Sequence, residues 1–317
     1  MPKMPVQLEN VTKRYGAFTA VDDLSFSVAK GEIYGFLGPN GAGKTTTLRM
    51  ILDIVRPSEG RIMVLGSASA IPVRRRIGYL PEERGLYRKM KAVDSIAYFA
   101  QLRGLSGREA KTRAHALLEQ FGLEKFARSK NEALSKGMAQ KVQLIATIAH
   151  EPELLILDEP FSGLDPINQQ TLEELIAEQR RNGRTIIFST HVMQHAERLC
   201  DRFLIIAQGK KRFEGTLAQA RASHGKRLHV RSAAPASAFE AFAGVVAVRL
   251  EKPGVDENEY DIELADGADP QAFLRQAVGA GITMTRFEQA GATLHDIFVS
   301  LAGDQDAPAP AHAEAAE

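Results

Sequence analysis

The sequence predicts an α/β domain interrupted by a helical insertion and followed by a small α+β domain. Three observations carry that reading. Strand-like and helix-like segments alternate from residue 1 to 224, as they do where helices cover a parallel sheet. Within that span, helical periodicity takes over between about residues 90 and 150. From 225 to 303 short strand-like runs dominate.

Residues 32–37 read as a strand that runs into a glycine-rich turn. A helix follows, with Leu48, Ile51, Leu52 and Val55 at i, i+3, i+4 and i+7, and Pro57 to Gly60 break it. Residues 61–65 form a further short strand. The stretches 93–102 and 108–121 carry helical patterns and are split by 104–107. Ser135 stands in the cap position of a helix whose Met138, Val142, Ile145 and Ala149 form one stripe, with Pro152 just past its end. Three apolar runs, 154–157, 185–189 and 203–207, read as buried strands, and helix 171–182 lies between the first two with Gly183 at its end. A boundary falls near 222–226. Beyond it strands are expected at 227–231, 245–251, 259–265 and 282–288, and helices at 270–278 and 294–301. Residues 304–317 are Ala, Pro and acid apart from one Gln and one His, so a disordered tail is expected.

A chain of 317 residues has room for about two domains, and its 44% apolar and 25% charged residues are those of an ordinary globular protein. A net charge of +1 offers no bulk attraction to nucleic acid. Cys200, the only cysteine, cannot form an intrachain disulfide and reads as a small buried hydrophobe. No run approaches the roughly 18 apolar residues of a membrane span. The N-terminus lacks the long apolar stretch of a signal peptide. These features imply a cytosolic chain, whose service to a membrane process would run through another polypeptide.

Gly38-Pro39-Asn40-Gly41-Ala42-Gly43-Lys44-Thr45 fits G-x-x-x-x-G-K-S/T. The glycines let backbone N–H groups converge on phosphate oxygens, and the following helix, through Thr46, points its positive end at the same anion. Lys44 can reach the β- and γ-phosphates, and the Thr45 hydroxyl can ligate Mg²⁺. The plainer reading, a turn that happens to precede lysine, is opposed by the strand before it and the helix after. Leu154-Leu155-Ile156-Leu157-Asp158-Glu159 is an apolar strand that ends in two carboxylates. In a phosphate-loop fold Asp158 can hold the Mg²⁺ shell, while Glu159 points elsewhere and can polarise an attacking water.

On these residues the chain resembles the ATP-binding-cassette family over roughly residues 5–220. The resemblance implies an ABC-type P-loop ATPase domain. Leu134-Ser135-Lys136-Gly137-Met138 stands where that family carries LSGGQ, keeping Leu, Ser and the second Gly and departing at Lys136 and Met138. In the family this helix start meets the γ-phosphate held by the opposite subunit, which assigns Ser135 and Gly137 to nucleotide binding. Ser162-Gly163-Leu164-Asp165 resembles the D-loop, which crosses the dimer interface. Ser189-Thr190-His191 resembles the segment with the switch histidine. Tyr15 matches the aromatic that stacks on adenine; otherwise it is a core tyrosine of an early hairpin. Ile77-Gly78-Tyr79-Leu80-Pro81-Glu82 resembles the Q-loop, with Glu82 in place of glutamine, and Glu82 is expected either to ligate Mg²⁺ or to pair with a basic group such as Arg84. Residues 82–87 and Leu294-His295-Asp296-Ile297-Phe298 resemble a subset found with sodium and drug exporters.

The resemblance implies an ATPase that uses ATP and Mg²⁺, pairs as a homodimer or with another cassette, and powers separate transmembrane permease subunits at the cytoplasmic face of the membrane, without nucleic acid. The alternative is a cassette ATPase outside transport. The translation type carries two cassettes per chain, but this chain has one phosphate loop. The repair type is split by a long coiled coil, but residues 83–133 hold no sustained heptads. A binding module without turnover is opposed by Glu159 and His191. His191 and His195 also have the i, i+4 spacing of helix metal ligands, but Val192 stands where a glutamate is usual, so His195 reads as a surface or packing residue. The basic runs Arg74-Arg75-Arg76 and Arg88-Lys89-Met90-Lys91 read as solvated surface, with a docking surface as the alternative.

Overall fold

A computed structural model describes residues 4–83, 85–222, 226–265, 267–290 and 293–302. The expected tail at 304–317 lies outside them. The chain divides into two compact units, one ending at Gly215 and one beginning at Thr216.

In chain order the first unit comprises β1 (Val6–Tyr15), β2 (Phe18–Val28), β3 (Ile33–Leu37), α1 (Lys44–Ile51), β4 (Glu59–Val64), β5 (Ile77–Leu80), α2 (Ala92–Leu102), α3 (Gly107–Gln120), α4 (Lys136–Ile148), β6 (Leu154–Leu157), α5 (Pro166–Arg181), β7 (Thr185–Thr190), α6 (Met193–Leu199), β8 (Arg202–Ala207) and β9 (Lys210–Gly215). β2, β1 and β4 form an antiparallel sheet. A six-stranded sheet runs β5-β6-β7-β3-β8-β9, parallel except for β9.

The continuous apolar runs follow from cover on both faces of that sheet. In β6, Leu154 and Ile156 face a core shared with the three-stranded sheet and α1. Leu155 and Leu157 face the opposite core, built with α2 to α5. Side-chain alternation along one strand thus fills two cores.

Local polar chemistry sets several boundaries that apolar periodicity misses. α5 begins at Pro166 rather than at 171, because Asp165 accepts from Asn168 N at 3.0 Å and proline occupies the first turn. α3 opens on a capping box between Ser106 and Glu109. The charged strand β9 carries no strand pattern; it pairs with β8 through a two-residue turn in which Gln208 and Gly209 have φ of 53° and 75°.

The second unit comprises α7 (Leu217–Ala222), β10 (Arg227–Ser232), α8 (Ala236–Glu240), β11 (Val245–Lys252), β12 (Asn258–Leu264), α9 (Pro270–Gly279), β13 (Met284–Ala290) and α10 (Leu294–Ala302). The strands form an antiparallel sheet in the order β11-β12-β10-β13. Leu228, Val230, Tyr260 and Ile262 pack with Phe239 of α8 and Phe273 of α9. α7 packs with α10, so this unit begins before the composition changes at 222–226.

Candidate functional site

Strand register brings the motifs together. Phe36 pairs with Ser189 and Leu37 with Thr190 between parallel β3 and β7, and Leu157 pairs with Phe188 between β6 and β7. The segments that leave these three strands therefore meet at the carboxyl edge of the sheet: the loop from Gly38, the pair Asp158-Glu159, and His191. Ligand sites of open α/β sheets form at this edge.

The loop closes on itself before α1. Ala42 N donates to Pro39 O at 3.2 Å, and Gly209 N donates to Ala42 O at 3.1 Å. Gly43 has φ of 103°, and a Cβ there would fall 2.5 Å from Ala20 O, so this position requires glycine. Pro39, Asn40 and Gly41 are exposed at the rim. The N–H groups of Lys44, Thr45 and Thr46 open α1 and have no intrahelical acceptor. The buried ammonium of Lys44 donates to Gly38 O at 2.7 Å and Pro39 O at 3.1 Å. Converging N–H donors beside an ammonium fit a polyphosphate.

Asp158 accepts from Ser189 Oγ at 2.5 Å and lies 3.4 Å from Thr45 Oγ1. Burial pushes its carboxyl above the ordinary aspartate range, Ser189 and Thr45 oppose that rise, and Glu159 adds to it. Glu159 has φ of 44°, a left-handed conformation that costs about 1–3 kcal/mol in a non-glycine residue. Its N–H donates to Ser189 Oγ at 2.9 Å, which holds the turn. The turn sends its side chain to Lys44 and His191: Oε1 lies 3.4 Å from Lys44 Nζ and Oε2 lies 3.0 Å from His191 Nδ1. A carboxylate only accepts, so Nδ1 of His191 carries the hydrogen. Glu159 Oε1 is buried and accepts no hydrogen bond among the described residues. Two buried carboxylates thus face one buried ammonium, and the oxygens of Asp158 and Thr45 fit a hard divalent cation such as Mg²⁺.

Motif spacing does not mark Ser189 as a functional residue, yet it bonds both acids. Its signal is a hydroxyl at the end of β7, which acquires meaning only once β7 lies beside β6. His195 is used elsewhere. It is buried, stacks on Phe161 at 3.9 Å between ring centres, and puts Nδ1 2.7 Å from Glu173 Oε1, which makes it a packing residue. Cys200 is half-buried, and burial pushes its thiol well up.

Tyr15 lies at the tip of the β1–β2 hairpin and is 48% exposed, with the Lys13 ammonium 4.8 Å over its ring. It is not a core tyrosine. Glu82 is exposed just past β5, and its suggested partner Arg84 lies outside the described residues. The charges of both Asp158 and Glu82 reach the Tyr79 hydroxyl, which burial first pushes up. Ser135, Gly137 and Asp165 form a second group at the starts of α4 and α5. Ser135 Oγ accepts from Met138 N at 3.2 Å. None of the three shares a hydrogen bond or ion pair with Lys44, Asp158 or Glu159 among the described residues. The three arginines 74–76 are exposed, and Arg76 pairs with Glu153 at 2.6 Å.

Residues 21–162 match the ABC transporter family, and residues 215–302 match the C-terminal domain of DrrA1-3-like ATP-binding proteins. The ABC transporter ATP-binding protein YhaQ of Bacillus subtilis (strain 168) is 39% identical over 297 residues, which cover 93% of this chain and 98% of YhaQ. The chain belongs to the ATP-binding proteins of ABC transporters. The cassette is also similar to the Nod factor export ATP-binding protein I of Burkholderia orbicola (strain AU 1054), with 40% identity over 218 residues, 68% of this chain and 72% of that protein. It resembles the dimeric post-hydrolysis structure of the ATP-binding cassette MJ0796 bound to ADP and Pi, with a TM-score of 0.62 and 26% identity, covering 67% of this chain and 98% of that one. The cassette is thus an ATP-binding and ATP-hydrolysing transporter subunit, and the readings outside transport have no support among these relatives. Among the described residues no helix is long and apolar enough to cross a membrane.

Proposed function

We propose that the cassette hydrolyses Mg-ATP between two facing cassettes, as a homodimer or with a paired cassette, and powers export through separate permease subunits at the cytoplasmic face of the membrane. The observation that carries the hydrolytic part is Glu159: a buried carboxylate with Oε2 oriented by His191 and Oε1 beside the Lys44 ammonium, without a hydrogen bond among the described residues. In this reading Glu159 is the general base and His191 positions it and contacts the γ-phosphate. Lys44 neutralises the β- and γ-phosphates, and the loop from Gly38 to Thr46 cradles them. Tyr15 stacks on adenine. Ser135, Gly137 and Asp165 serve the nucleotide of the facing cassette. Thr45 and Asp158 would hold Mg²⁺, which when bound would offset triphosphate charge. Likeness to a Nod factor export protein supports the direction of transport, and the DrrA-like C-terminal domain supports the same subset. The tagged chain is expected to co-purify from detergent extracts with a polytopic membrane protein and to show Mg-dependent ATPase activity in that complex. Recovery of the tagged chain from such extracts without any membrane protein would remove the permease partnership from the proposal.

In this reading Glu82 would supply Mg²⁺ with a further, charged ligand where the family has an amide. Glu82→Gln should then raise the Mg²⁺ concentration needed for half-maximal turnover several-fold, with ATP binding in EDTA unchanged. An unchanged Mg²⁺ requirement together with lost stimulation by the membrane partner would place Glu82 in docking instead.

A further inference from the structure

His191 and His195 stand on one short segment and each meets a glutamate. His191 Nδ1 lies 3.0 Å from Glu159 Oε2, and His195 Nδ1 lies 2.7 Å from Glu173 Oε1. The second pair joins α6 to α5 with side chains only 5% and 12% exposed, and the Glu173 carboxylate also takes Arg198 Nη1 at 3.4 Å. A carboxylate only accepts, so Nδ1 of His195 donates, and that bond holds the imidazole in one plane. The ring lies flat on Phe161, with 3.9 Å between centres and 16° between planes. Phe161 in turn meets Phe188 of β7 edge to face, at 5.9 Å and 83°. All three rings are buried.

This stack ties together the three segments that make the hydrolytic end of the site. Phe161 follows Glu159 by two residues, Phe188 precedes Ser189, and His195 lies one helical turn beyond His191. Ser162 N donates to Glu159 O at 3.1 Å, so Phe161 sits inside the turn that Glu159 opens. A left-handed glutamate persists only where its surroundings over-determine it. Ser189 Oγ supplies one constraint, at the Glu159 N–H, and the stack on Phe161 supplies another from the far side of the turn.

We propose that His195 is a positioning residue for ATP hydrolysis: its ring, anchored by Glu173 and stacked on Phe161, keeps the Glu159 turn in register with His191 and so keeps the Glu159 carboxylate aimed. This rests on the reading of Glu159 as general base. His195 shares no hydrogen bond or ion pair with Lys44, Asp158 or Glu159 among the described residues, so it acts through Phe161 on geometry. Removing the ring gives Phe161 room to shift and the strained turn a way to relax. A misplacement of about 1 Å at a reacting group can cost on the order of 10²-fold in rate. The phosphate loop is held by other contacts, at Ala20, Gly38, Pro39 and Gly209, so ATP affinity does not depend on the stack.

The test measures single-turnover ATP cleavage and ATP affinity of the full chain, well below the melting temperature of each variant. His195→Asn keeps an N–H donor for Glu173 and loses the ring. It should cleave roughly ten- to a hundredfold more slowly, with ATP affinity within about twofold of wild type. His195→Phe keeps the stack, leaves Glu173 to Arg198, and should cleave within about fivefold of wild type. Added to Glu159→Gln, His195→Asn should slow the residual cleavage by less than about threefold, because the group it positions is already gone. Wild-type cleavage in His195→Asn overturns the proposal. So does a loss that is equal in the Asn and Phe variants, one matched by lost ATP affinity, or one repeated in full on Glu159→Gln. Wild-type cleavage in Glu159→Gln alone sinks the general-base reading itself, and the proposal with it.

Discussion

Glu159→Gln is expected to reduce ATP turnover by about 10²- to 10⁴-fold, the usual contribution of a general base, while leaving ATP binding intact. The amide keeps the shape of the side chain, so the left-handed turn and its hydrogen bond to Ser189 should survive. What is lost is the proton acceptor at Oε1. Cleavage then fails after the cassettes have closed, and an ATP-loaded dimer should accumulate in a sizing experiment. Normal turnover together with a monomer at saturating Mg-ATP would contradict both the base and the two-cassette arrangement. Single-turnover cleavage, measured beside nucleotide affinity, separates the chemical step from binding.

For Lys44→Ala the expected result is activity at background, with nucleotide affinity reduced as well. The substitution removes the main side-chain counter-charge to the β- and γ-phosphates. It also strips Glu159 of the ammonium paired with it in a buried setting. Losing one partner of a buried pair typically costs about 3–5 kcal/mol, so a lowered melting temperature should accompany the lost activity. ATP should restore little of that melting temperature, because ligand stabilisation requires binding. Wild-type turnover in this variant would remove the phosphate-loop assignment.

The site's chemistry was legible wherever one segment carries all its parts. The phosphate loop is contiguous from Gly38 to Thr45, so glycine positions, lysine and hydroxyl could be read together. Asp158 and Glu159 close an apolar run and could be read as a strand end. Ser189 was legible only as a hydroxyl, because its role depends on which strand lies beside β7. The approach of the Lys136 ammonium to Gly163 joins two motifs that lie apart in the chain and is invisible until α4 packs on the segment before α5. β9 escaped because a charged edge strand has no apolar alternation, and the start of α5 escaped because its first turn is polar.

By itself, then, the sequence determined the α/β class, the phosphate-binding turn, the acid pair and the order of the motifs along the chain. These depend on local backbone freedom, apolar period and residue chemistry, which act over a few residues. Tertiary structure decided which of those residues meet. The order β5-β6-β7-β3-β8-β9 is not chain order, and it sets β3 and β6 on either side of β7, so the loop, the acids and His191 share one edge. It also decided how the two acids differ: the left-handed turn at Glu159 aims one carboxylate at Lys44 and His191, while Asp158 stays with Ser189 and Thr45. Such pairings depend on long-range strand register, which is selected by burying both faces of the sheet at once rather than by any single stretch of chain.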